Sequence, residues 1–454
     1  MIKRTLSQVA MMANGSLVDA QFKDVVIHGV TKDTREDLTN SLYIPIVGEN
    51  FNGHQFVEQA IKEKGAAASL WQKSEPNPPT KIPLILVEDT VEALQQMARV
   101  YRDELQLTVI GITGSNGKTT TKDIVTSLLK TTFRVHKTAG NYNNHIGLPL
   151  TLLSMQEDTE VAVLEMGMSD FGEIELLSEI AKPDAAIITN IGESHLQELG
   201  SRAGIAKAKL EIAVGLKEKG ILVINGDEPL LTENVSSMPF EIITFGMKEK
   251  NDYKTTIEEI SKDNTRFSVN GLTYTIPVLG QHNVMNAVAS IAVAHHLNVS
   301  HQSIMEGLEN VSITGMRNEV VHGKNKVTLI NDAYNASPTS MKAAIDLLAS
   351  LKGFNRKIAV LADMLELGED EKQFHYDTGA HVSGKDIDYV FTFGPLGTDI
   401  AAGAKSAMKK SNVTAFQSKE ELISFLNGFV QPGDIVLVKG SRGMKLEEVV
   451  QSLS

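Results

Sequence analysis

The chain contains 454 residues, has a formal net charge of −13 and contains no cysteine. The lack of cysteine excludes disulfides, thiolate metal sites and thiol nucleophiles, and the negative charge argues against a nucleic-acid partner bound through a basic face. At roughly 150 residues per domain, this length predicts about three domains. No apolar run approaches the roughly 18–20 residues of a membrane span, and none follows the basic N-terminal residues. We therefore expect a soluble cytoplasmic protein without membrane insertion.

Residues 1–100 are predicted to form a small N-terminal α/β domain. Short apolar runs at 41–46 and 82–87 accompany helical patterns at 54–64 and 90–104, and a turn-rich stretch lies between them at 74–79. The first domain boundary is placed near residue 100, give or take about ten residues, because the segment 80–105 fits either side.

Residues 101–313 are predicted to form a central, doubly wound and largely parallel sheet, because apolar runs alternate with helical periodicity. Strands are expected at 107–112, 160–165, 185–189 and 221–224, and helices at 119–130, 173–180, 203–216 and 283–296. Asn270-Gly271 between two alternating runs predicts a hairpin, so residues 240–280 are expected to form a small antiparallel appendage.

Residues 314–454 repeat the alternation and predict a C-terminal, Rossmann-like α/β domain. Strands are expected at 327–330, 357–361, 389–393 and 435–438, and a helix at 339–351.

A predicted phosphate-binding loop follows the first central strand. Glycine frees backbone N–H groups to face an anion, Lys118 reaches the terminal phosphates and the Thr119 hydroxyl can bind Mg²⁺. The strict pattern has a glycine where this chain has Ile112. The alternative is a glycine-rich turn with a lysine by chance, against which the flanking strand and helix argue. The loop residues predicted to bind ATP are Gly114, Ser115, Asn116, Gly117, Lys118, Thr119 and Thr120.

Two other central strands end in polar side chains. Glu165 closes one apolar run, and His195 lies in the loop after the next strand. Because ligands of open α/β sheets bind at the carboxyl ends of strands, both side chains are expected beside the phosphate loop. Mg²⁺ prefers oxygen ligands and accepts an occasional nitrogen. Taken alone, Glu165 fits a solvated strand-end acid equally well, and His195 fits a surface or core histidine.

Lys209 lies on the apolar stripe of the helix predicted at 203–216, whereas Lys207 lies on its polar face. A lysine on an inner face is costly unless its amine is paired, neutral or chemically modified. The alternative is a lysine at the helix edge whose charged end reaches water. The residues alone leave both interpretations open.

These residues resemble those of the Mur ligase family, the ATP-dependent enzymes that build the peptide stem of bacterial cell-wall precursors. The family shows Gly-Thr/Ser-Asn-Gly-Lys-Thr after its first central strand, like 114–119 here, which accounts for Ile112. The resemblance implies that Lys209 is carbamoylated by CO₂ and that two Mg²⁺ sites are present. It implies the metal ligands Thr119, Glu165, His195 and Lys209, with Lys118, Glu165, His195 and Lys209 as catalytic residues.

Further segments carry the resemblance along the chain. The segments 282–287, 315–317 and 332–338 imply that Asn286 contacts adenine, Arg317 reaches ATP and Asp332 binds the ribose. The segments 138–149, 331–336, 362–368 and 438–443 look most like the family member that adds D-alanyl-D-alanine. They imply the substrate-binding residues Asn141, Asn144, Tyr334 and Asn335.

The segments 31–35 and 51–54 resemble the family's uridine-nucleotide segments and imply a UDP-sugar site in residues 1–100. Asn52 stands where the family commonly has aspartate. The residues implied to bind the UDP-sugar are Thr31, Asp33, Thr34, Arg35, Asn52, Gly53 and His54.

The implied activity is ATP-dependent ligation of D-alanyl-D-alanine to UDP-N-acetylmuramoyl-tripeptide through an acyl phosphate, the last cytoplasmic peptide-stem step of peptidoglycan precursor synthesis. A monomer is expected. A folylpolyglutamate synthetase-like ligase is the alternative in mechanism, and residues 1–100 and 332–338 argue against it. A phosphate-loop regulatory or motor ATPase and an inactive nucleotide-binding partner are alternatives of other classes.

Overall fold

A computed structural model describes residues 1–454. Its strands form three large sheets of five, nine and six strands and two small two-stranded ribbons, and helices cover the large sheets. The predicted three-part α/β fold is confirmed. None of the helices combines the length and apolar composition needed to cross a bilayer.

The N-terminal sheet is built from short strands in the order β2-β9-β8-β5-β4, parallel except for β2. The two small ribbons, β1-β3 and β6-β7, also lie in this N-terminal part of the chain. The elements of this part are β1 (Lys3–Thr5), α1 (Leu6–Met12), β2 (Ser16–Leu17), β3 (Val26–His28), β4 (Val30–Thr31), β5 (Leu42–Tyr43), β6 (Val47–Gly48), β7 (Phe51–Asn52), α2 (Val57–Lys62), β8 (Ala68–Gln72), β9 (Leu84–Val87) and α3 (Thr90–Glu104).

Helix α3 connects the N-terminal and central sheets and runs through residue 100, where the first boundary is placed. Asp89 caps it by accepting hydrogen bonds from the N–H groups of Val91 and Glu92. Its buried face includes Met97 and Tyr101 and belongs to one hydrophobic core that also contains residues of the central sheet. The two sheets therefore share a core.

The central sheet has the order β11-β12-β10-β13-β14-β15-β16-β17-β18. Its elements are β10 (Thr108–Thr113), α4 (Lys118–Lys130), β11 (Val135–Lys137), α5 (Gly147–Leu153), β12 (Val161–Glu165), α6 (Glu173–Ala181), β13 (Ala185–Ile188), α7 (Leu196–Leu199), α8 (Arg202–Leu210), β14 (Ile221–Asn225), α9 (Pro229–Val235), β15 (Glu241–Gly246), β16 (Tyr253–Ile260), β17 (Thr265–Val269), β18 (Leu272–Ile276), α10 (Gln281–His296) and α11 (His301–Glu309).

The predicted antiparallel strands are present, but they continue the central sheet. β16 pairs in parallel with β15, and β17 and β18 then follow in antiparallel order. Asn270 and Gly271 have φ values of 49° and 85°, as a tight two-residue hairpin requires. The helix predicted at 203–216 ends earlier, at Leu210, and a 3-10 turn (Glu211–Ala213) follows it.

The C-terminal sheet has the order β19-β20-β24-β21-β22-β23, parallel except for β19. Separate hydrophobic cores lie on its two faces. Its elements are β19 (Glu319–His322), β20 (Thr328–Asp332), α12 (Pro338–Ser350), β21 (Lys357–Ala362), α13 (Glu371–Ala380), β22 (Tyr389–Phe393), α14 (Gly397–Ala407), β23 (Val413–Phe416), α15 (Lys419–Phe429), β24 (Ile435–Lys439) and α16 (Glu447–Leu453).

Candidate active site

The predicted phosphate loop connects β10 to α4. Gly117 has φ 81°, a left-handed conformation that favours glycine, and a Cβ there would lie 2.6 Å from the side-chain oxygen of Asn286, which would have to move. The amine of Lys118 donates to the carbonyl of Gly114 at 2.8 Å. Burial lowers the pKa of Lys118, Arg317 lowers it further, and Glu165 opposes the shift. The loop thus presents a lysine and the start of a helix to the same space.

Glu165 ends β12 directly beside the start of α4. Its carboxylate accepts hydrogen bonds from the Thr119 hydroxyl and from the Asn143 amide, both at 2.9 Å. The amine of Lys122 lies 3.9 Å from it. The predicted contact between Glu165 and the phosphate loop is therefore present in the structure.

Lys209 is 2% exposed, and none of the ion pairs in the structure involves it. Burial lowers its pKa well below the ordinary value, and the charge of Lys118 adds to the effect. The side chain as a whole is thus buried, unlike that of a lysine at the helix edge. Lys207, by contrast, is exposed, and its amine lies 5.7 Å from the centre of the Phe171 ring.

His195 immediately precedes α7 and has a left-handed backbone at φ 61°. Its Nδ1 lies 3.1 Å from the carboxylate of Glu366 in the C-terminal sheet region, without the alignment of a hydrogen bond. Burial lowers the pKa of His195, Glu366 raises it, and Lys118 and Lys209 lower it. The charges of these four side chains therefore interact.

Whether a divalent cation fits beside the phosphate loop depends on which side chains offer it oxygen or nitrogen ligands. No group of three or more His, Asp or Glu side chains is arranged to hold a metal ion. Thr119 and Glu165 supply oxygens at the phosphate loop, and His195 supplies a nitrogen. A carboxylate formed on the unpaired Lys209 amine would add an anionic oxygen. Because Mg²⁺ commonly takes one or two carboxylates plus substrate phosphates, the residues fit it in that form.

Residues at the carboxyl ends of the C-terminal strands lie opposite the phosphate loop. Asp332, at the end of β20, accepts a hydrogen bond of 2.6 Å from the amine of Lys439, at the end of the neighbouring β24. The Lys439 amine also donates to the Asn335 carbonyl at 3.0 Å. The guanidinium of Arg317 lies 4.0 Å from the centre of the Tyr334 ring, as in a cation–π contact.

A cavity of about 210 Å³ lies between the central and C-terminal sheets, and polar residues predominate in its lining. It brings together most residues predicted to bind ATP. Tyr334 and Asn335 also line it, whereas Gly114, His195 and Lys209 do not. The predicted ATP and metal residues that line it are Ser115, Asn116, Gly117, Lys118, Thr119, Thr120, Glu165, Asn286, Arg317 and Asp332.

Sequence reasoning missed several lining residues. Lys439 follows an apolar strand, so the strand-end rule that singled out Glu165 could also have identified it. Asn143 lies within the segment 138–149, but nothing in the sequence shows that it contacts Glu165. The missed residues are Asn143, Asn190, His282, Asn283, Asn318, Thr339, Ser340, Ala343 and Lys439.

A second cavity of about 260 Å³ shares Tyr334 and Asn335 with the first. His195, Glu366 and Arg442 also line it. It therefore has a carboxylate and a guanidinium in its walls, next to the cavity at the phosphate loop.

Thr31 and its neighbours lie at the junction of the N-terminal and central sheets. Thr31 lines a cavity of about 180 Å³, and its hydroxyl donates to Glu36 at 2.7 Å. Asp33 and Arg35 form an exposed ion pair at 2.6 Å, and hydrogen bonds from Arg35 lower the pKa of Asp33 to about 2. Thr34 is half-buried.

The second segment expected to bind the uridine nucleotide, residues 51–54, lies outside that cavity. His54 is 5% exposed and both of its ring nitrogens are bonded: Nε2 accepts from the Gln72 N–H at 3.1 Å, and Nδ1 lies 2.9 Å from Asn52 Oδ1. A Cβ on Gly53 would lie 2.7 Å from the backbone nitrogen of Ile46. All three predicted residues thus make contacts within the fold, and His54 has no free nitrogen.

Asn144 and Asn141 lie in the loop before α5. The Asn144 side chain accepts a hydrogen bond from the Gly147 N–H at 2.8 Å and so supports the start of that helix. Asn141 is exposed. The loop residue that reaches the phosphate-loop cavity is Asn143.

Three family models match in order: the Mur ligase family catalytic domain at residues 26–102, the Mur ligase middle domain at 112–294 and the Mur ligase glutamate ligase domain at 316–442. Together they span most of the chain.

Individual relatives match over nearly their full length. The UDP-N-acetylmuramoyl-tripeptide–D-alanyl-D-alanine ligase of Bacillus subtilis (strain 168) is 53% identical, covering 100% of this chain and 99% of the relative. A crystal structure of MurF from Acinetobacter baumannii has a TM-score of 0.91 at 31% identity, covering 100% and 99%. MurF ligase from Thermotoga maritima, solved in complex with ADP, has a TM-score of 0.82 at 30% identity, covering 94% and 96%. The chain belongs to the Mur ligase family.

Proposed function

We propose that this ligase joins the amino group of D-alanyl-D-alanine to the terminal carboxylate of UDP-N-acetylmuramoyl-tripeptide while ATP is converted to ADP and phosphate. The observation that supports it is the cavity between the central and C-terminal sheets, which unites Lys118, Glu165, Arg317 and Asp332. The activity for which the Bacillus subtilis relative is named supplies the two substrates. We propose that the reaction takes place in the cytoplasm and that the enzyme is a monomer.

We propose that three regions of the chain have different roles. Residues 1–100 bind the UDP-sugar, residues 101–313 form the ATPase region, and residues 314–454 form the ligase region that completes the ATP site and receives D-alanyl-D-alanine. Thr31, Asp33, Thr34 and Arg35 are the proposed uridine-side residues. We propose that His54, which is buried with both ring nitrogens bonded, shapes this site together with Asn52 and Gly53.

ATP is proposed to lie with its phosphates on the loop 114–120 and its adenosine against the C-terminal wall. The loop N–H groups and the start of α4 favour the anion. Asn286 contacts the adenine, and Asp332 accepts hydrogen bonds from the ribose. Arg317, held by the Tyr334 ring, supplies positive charge.

Mg²⁺ is proposed at two sites held by Thr119, Glu165, His195 and a carbamate on Lys209. When bound, the metal neutralises charge on the phosphates. Carbamoylation replaces a buried, partnerless amine, whose charged form is costly, with an anion that has positive neighbours such as Lys118. Asn143 fixes the other oxygen of Glu165 and so orients its carboxylate.

The reaction is proposed to proceed in two steps. The tripeptide carboxylate attacks the γ-phosphorus, the bond to the β-phosphate oxygen breaks, and an acyl phosphate and ADP form. The amine of the dipeptide then attacks the acyl carbon, the bond to phosphate breaks and the amine loses a proton. Lys118 stabilises charge on the transferred phosphoryl oxygens, because phosphoryl transfer depends on positioning and charge neutralisation.

The acceptor dipeptide is proposed to lie in the cavity that Tyr334 and Asn335 share with the nucleotide. Its ammonium suits the carboxylate of Glu366, and its carboxylate suits the guanidinium of Arg442. We assign Asn141 and Asn144 to the rim of the tripeptide path, beside Asn143 and Glu165.

The test is phosphate release from ATP with UDP-muramoyl-tripeptide, measured with and without D-alanyl-D-alanine. Sustained release is expected only when both substrates are present, together with a pentapeptide product by mass spectrometry. Release with ATP alone would instead favour a regulatory or motor ATPase. Release with folate and glutamate would favour the folylpolyglutamate synthetase-like alternative. Nucleotide binding without any phosphate release would favour an inactive nucleotide-binding partner protein.

A further inference from the structure

Helix α4 carries a buried acid that the proposed reaction does not use. Asp123 lies one helical turn after Thr119, and its carboxylate is fully buried. One oxygen accepts a hydrogen bond of 2.6 Å from the Lys137 amine. The other accepts hydrogen bonds from both the N–H and the hydroxyl of Thr314, at 2.9 Å and 2.7 Å. Both carboxylate oxygens therefore accept hydrogen bonds, and the second accepts them from Thr314.

Thr314 lies in the segment that joins α11 to β19, between the central and C-terminal sheets. Met316 and Asn318 in this segment have left-handed backbones, with φ values of 63° and 51°. Non-glycine residues keep that conformation where surrounding bonds hold them. At the far end, the Met316 N–H donates to Glu319 at 2.9 Å and the Asn318 N–H donates to Asp332 at 3.2 Å. The segment is thus held by α4 at one end and by the C-terminal sheet at the other.

Arg317 lies between the two left-handed residues and points into the nucleotide cavity. It stacks on Tyr334, and its buried Nε has no hydrogen-bond partner in the protein. A buried donor without a partner is costly unless a ligand satisfies it. The direction of the side chain therefore depends on the backbone, which Asp123 fixes three residues earlier through Thr314.

From this chain of contacts we infer that Asp123 is a positioning residue, which holds Thr314 so that Arg317 reaches the nucleotide. The same helix that begins at the phosphate loop thereby aligns the C-terminal half of the ATP site. This inference rests on the nucleotide site proposed above.

The first experiment uses Thr314→Val, which keeps the side-chain shape and the backbone N–H but removes the hydroxyl donor to Asp123. We expect the KM for ATP to rise about tenfold, the size of one lost bond to a charged group, while the KM values for both other substrates stay unchanged. Asp123→Asn should raise the KM for ATP at least as much. Ser127→Ala is the matched control. It removes a 2.7 Å bond from the same helix to Gly307, outside the linker, and should leave that KM unchanged.

A double-mutant cycle shows whether the effect passes through Arg317. In an Arg317→Ala background, Thr314→Val should change the KM for ATP by less than about twofold, because the group that it positions is gone. An equal rise in both backgrounds would overturn the inference. So would a lower unfolding temperature for Thr314→Val with an unchanged KM for ATP, since that result indicates a purely structural bond.

Calorimetric titration with Mg-ADP separates this inference from the proposed reaction. If the wild-type protein binds Mg-ADP but makes no pentapeptide, the proposed function fails. Weaker Mg-ADP binding by Thr314→Val, but not by Ser127→Ala, still supports the positioning role. Equal binding by all three proteins contradicts it, whatever the reaction.

Discussion

The carboxylate of Asp332 and the amine of Lys439 lie 2.6 Å apart in the interior, although 107 residues separate them. β20 and β24 are parallel neighbours, and Asp332 pairs with Lys439 in their register. The two charges therefore meet at the carboxyl ends of adjacent strands, in the wall of the cavity proposed to bind the nucleotide.

Removal of the lysine should leave the aspartate buried without its counter-charge. We expect Lys439→Met to lower the free energy of unfolding by about 3 kcal/mol, because a broken buried pair leaves an uncompensated charge. Urea unfolding followed by circular dichroism measures this change. The control is Lys385→Met, which breaks the more exposed pair with Asp346 and should cost less than about 1 kcal/mol. Equal losses in the two variants would contradict the prediction.

Removal of the phosphate-loop lysine should abolish most of the chemistry. We expect Lys118→Ala to lower kcat for phosphate release with all three substrates by at least about 10²-fold, because the positive charge at the transferred phosphoryl group is lost. Lys130→Ala, at the exposed end of the same helix, serves as the control and should retain wild-type kcat. Full ADP release by Lys118→Ala would refute the proposed mechanism.

Lys209 should be required as a carbamate and not as an amine. We expect Lys209→Ala to lose at least about 10²-fold in kcat and to recover part of it with added short carboxylic acids, which supply the missing oxygens. The solvent-facing Lys207→Ala should retain normal activity in the same assay. A carbamate carbon detected by ¹³C NMR in wild-type protein, and absent in Lys209→Ala, would support the modification independently. Undiminished activity without rescue would exclude this role.

Asp363 should give the folded state a distinct response to pH. Burial raises its pKa, against the opposing effect of the Leu396 and Gly397 N–H groups, and one carboxyl oxygen lacks a partner. The folded protein therefore keeps a proton that the unfolded chain loses above its ordinary pKa of 3.8. Through this group, the free energy of unfolding falls as pH rises from 3.8 through the raised pKa.

Asp363→Asn should remove that contribution. We expect urea midpoints of the variant, measured between about pH 4 and pH 6, to decline less with rising pH than those of wild type. The exposed Asp346→Asn should follow the wild-type curve. Parallel curves for wild type and Asp363→Asn would show that burial of this carboxyl has no such effect.

The features that could be predicted best are those that depend on residues close together in the sequence. The phosphate loop, the strand-end position of Glu165, the inner face of Lys209 and the Asn270-Gly271 hairpin all follow from local patterns. The pairing of Asp332 with Lys439 depends on the register between β20 and β24, which no local pattern specifies. The antiparallel strands likewise could be predicted, but their continuation from β15 required the structure.

The segments 31–35 and 51–54 show another limit of prediction from the sequence. Their resemblance marks residues 51–54, but it does not separate a side chain that faces a ligand from one that supports the loop. Both nitrogens of His54 are engaged within the fold, and that distinction depends on the contact between β8 and the 3-10 turn Gly53–Phe56.

The shared core beneath α3 determines which parts of the enzyme can be separated. A cut near residue 105 would expose apolar surface on both fragments, because that core is continuous across the N-terminal and central sheets. The C-terminal sheet has cores on both of its own faces, so its interior is largely independent of the other two sheets. A truncated chain ending at residue 313 should therefore remain folded and retain the phosphate loop, whereas an isolated fragment 1–100 should aggregate.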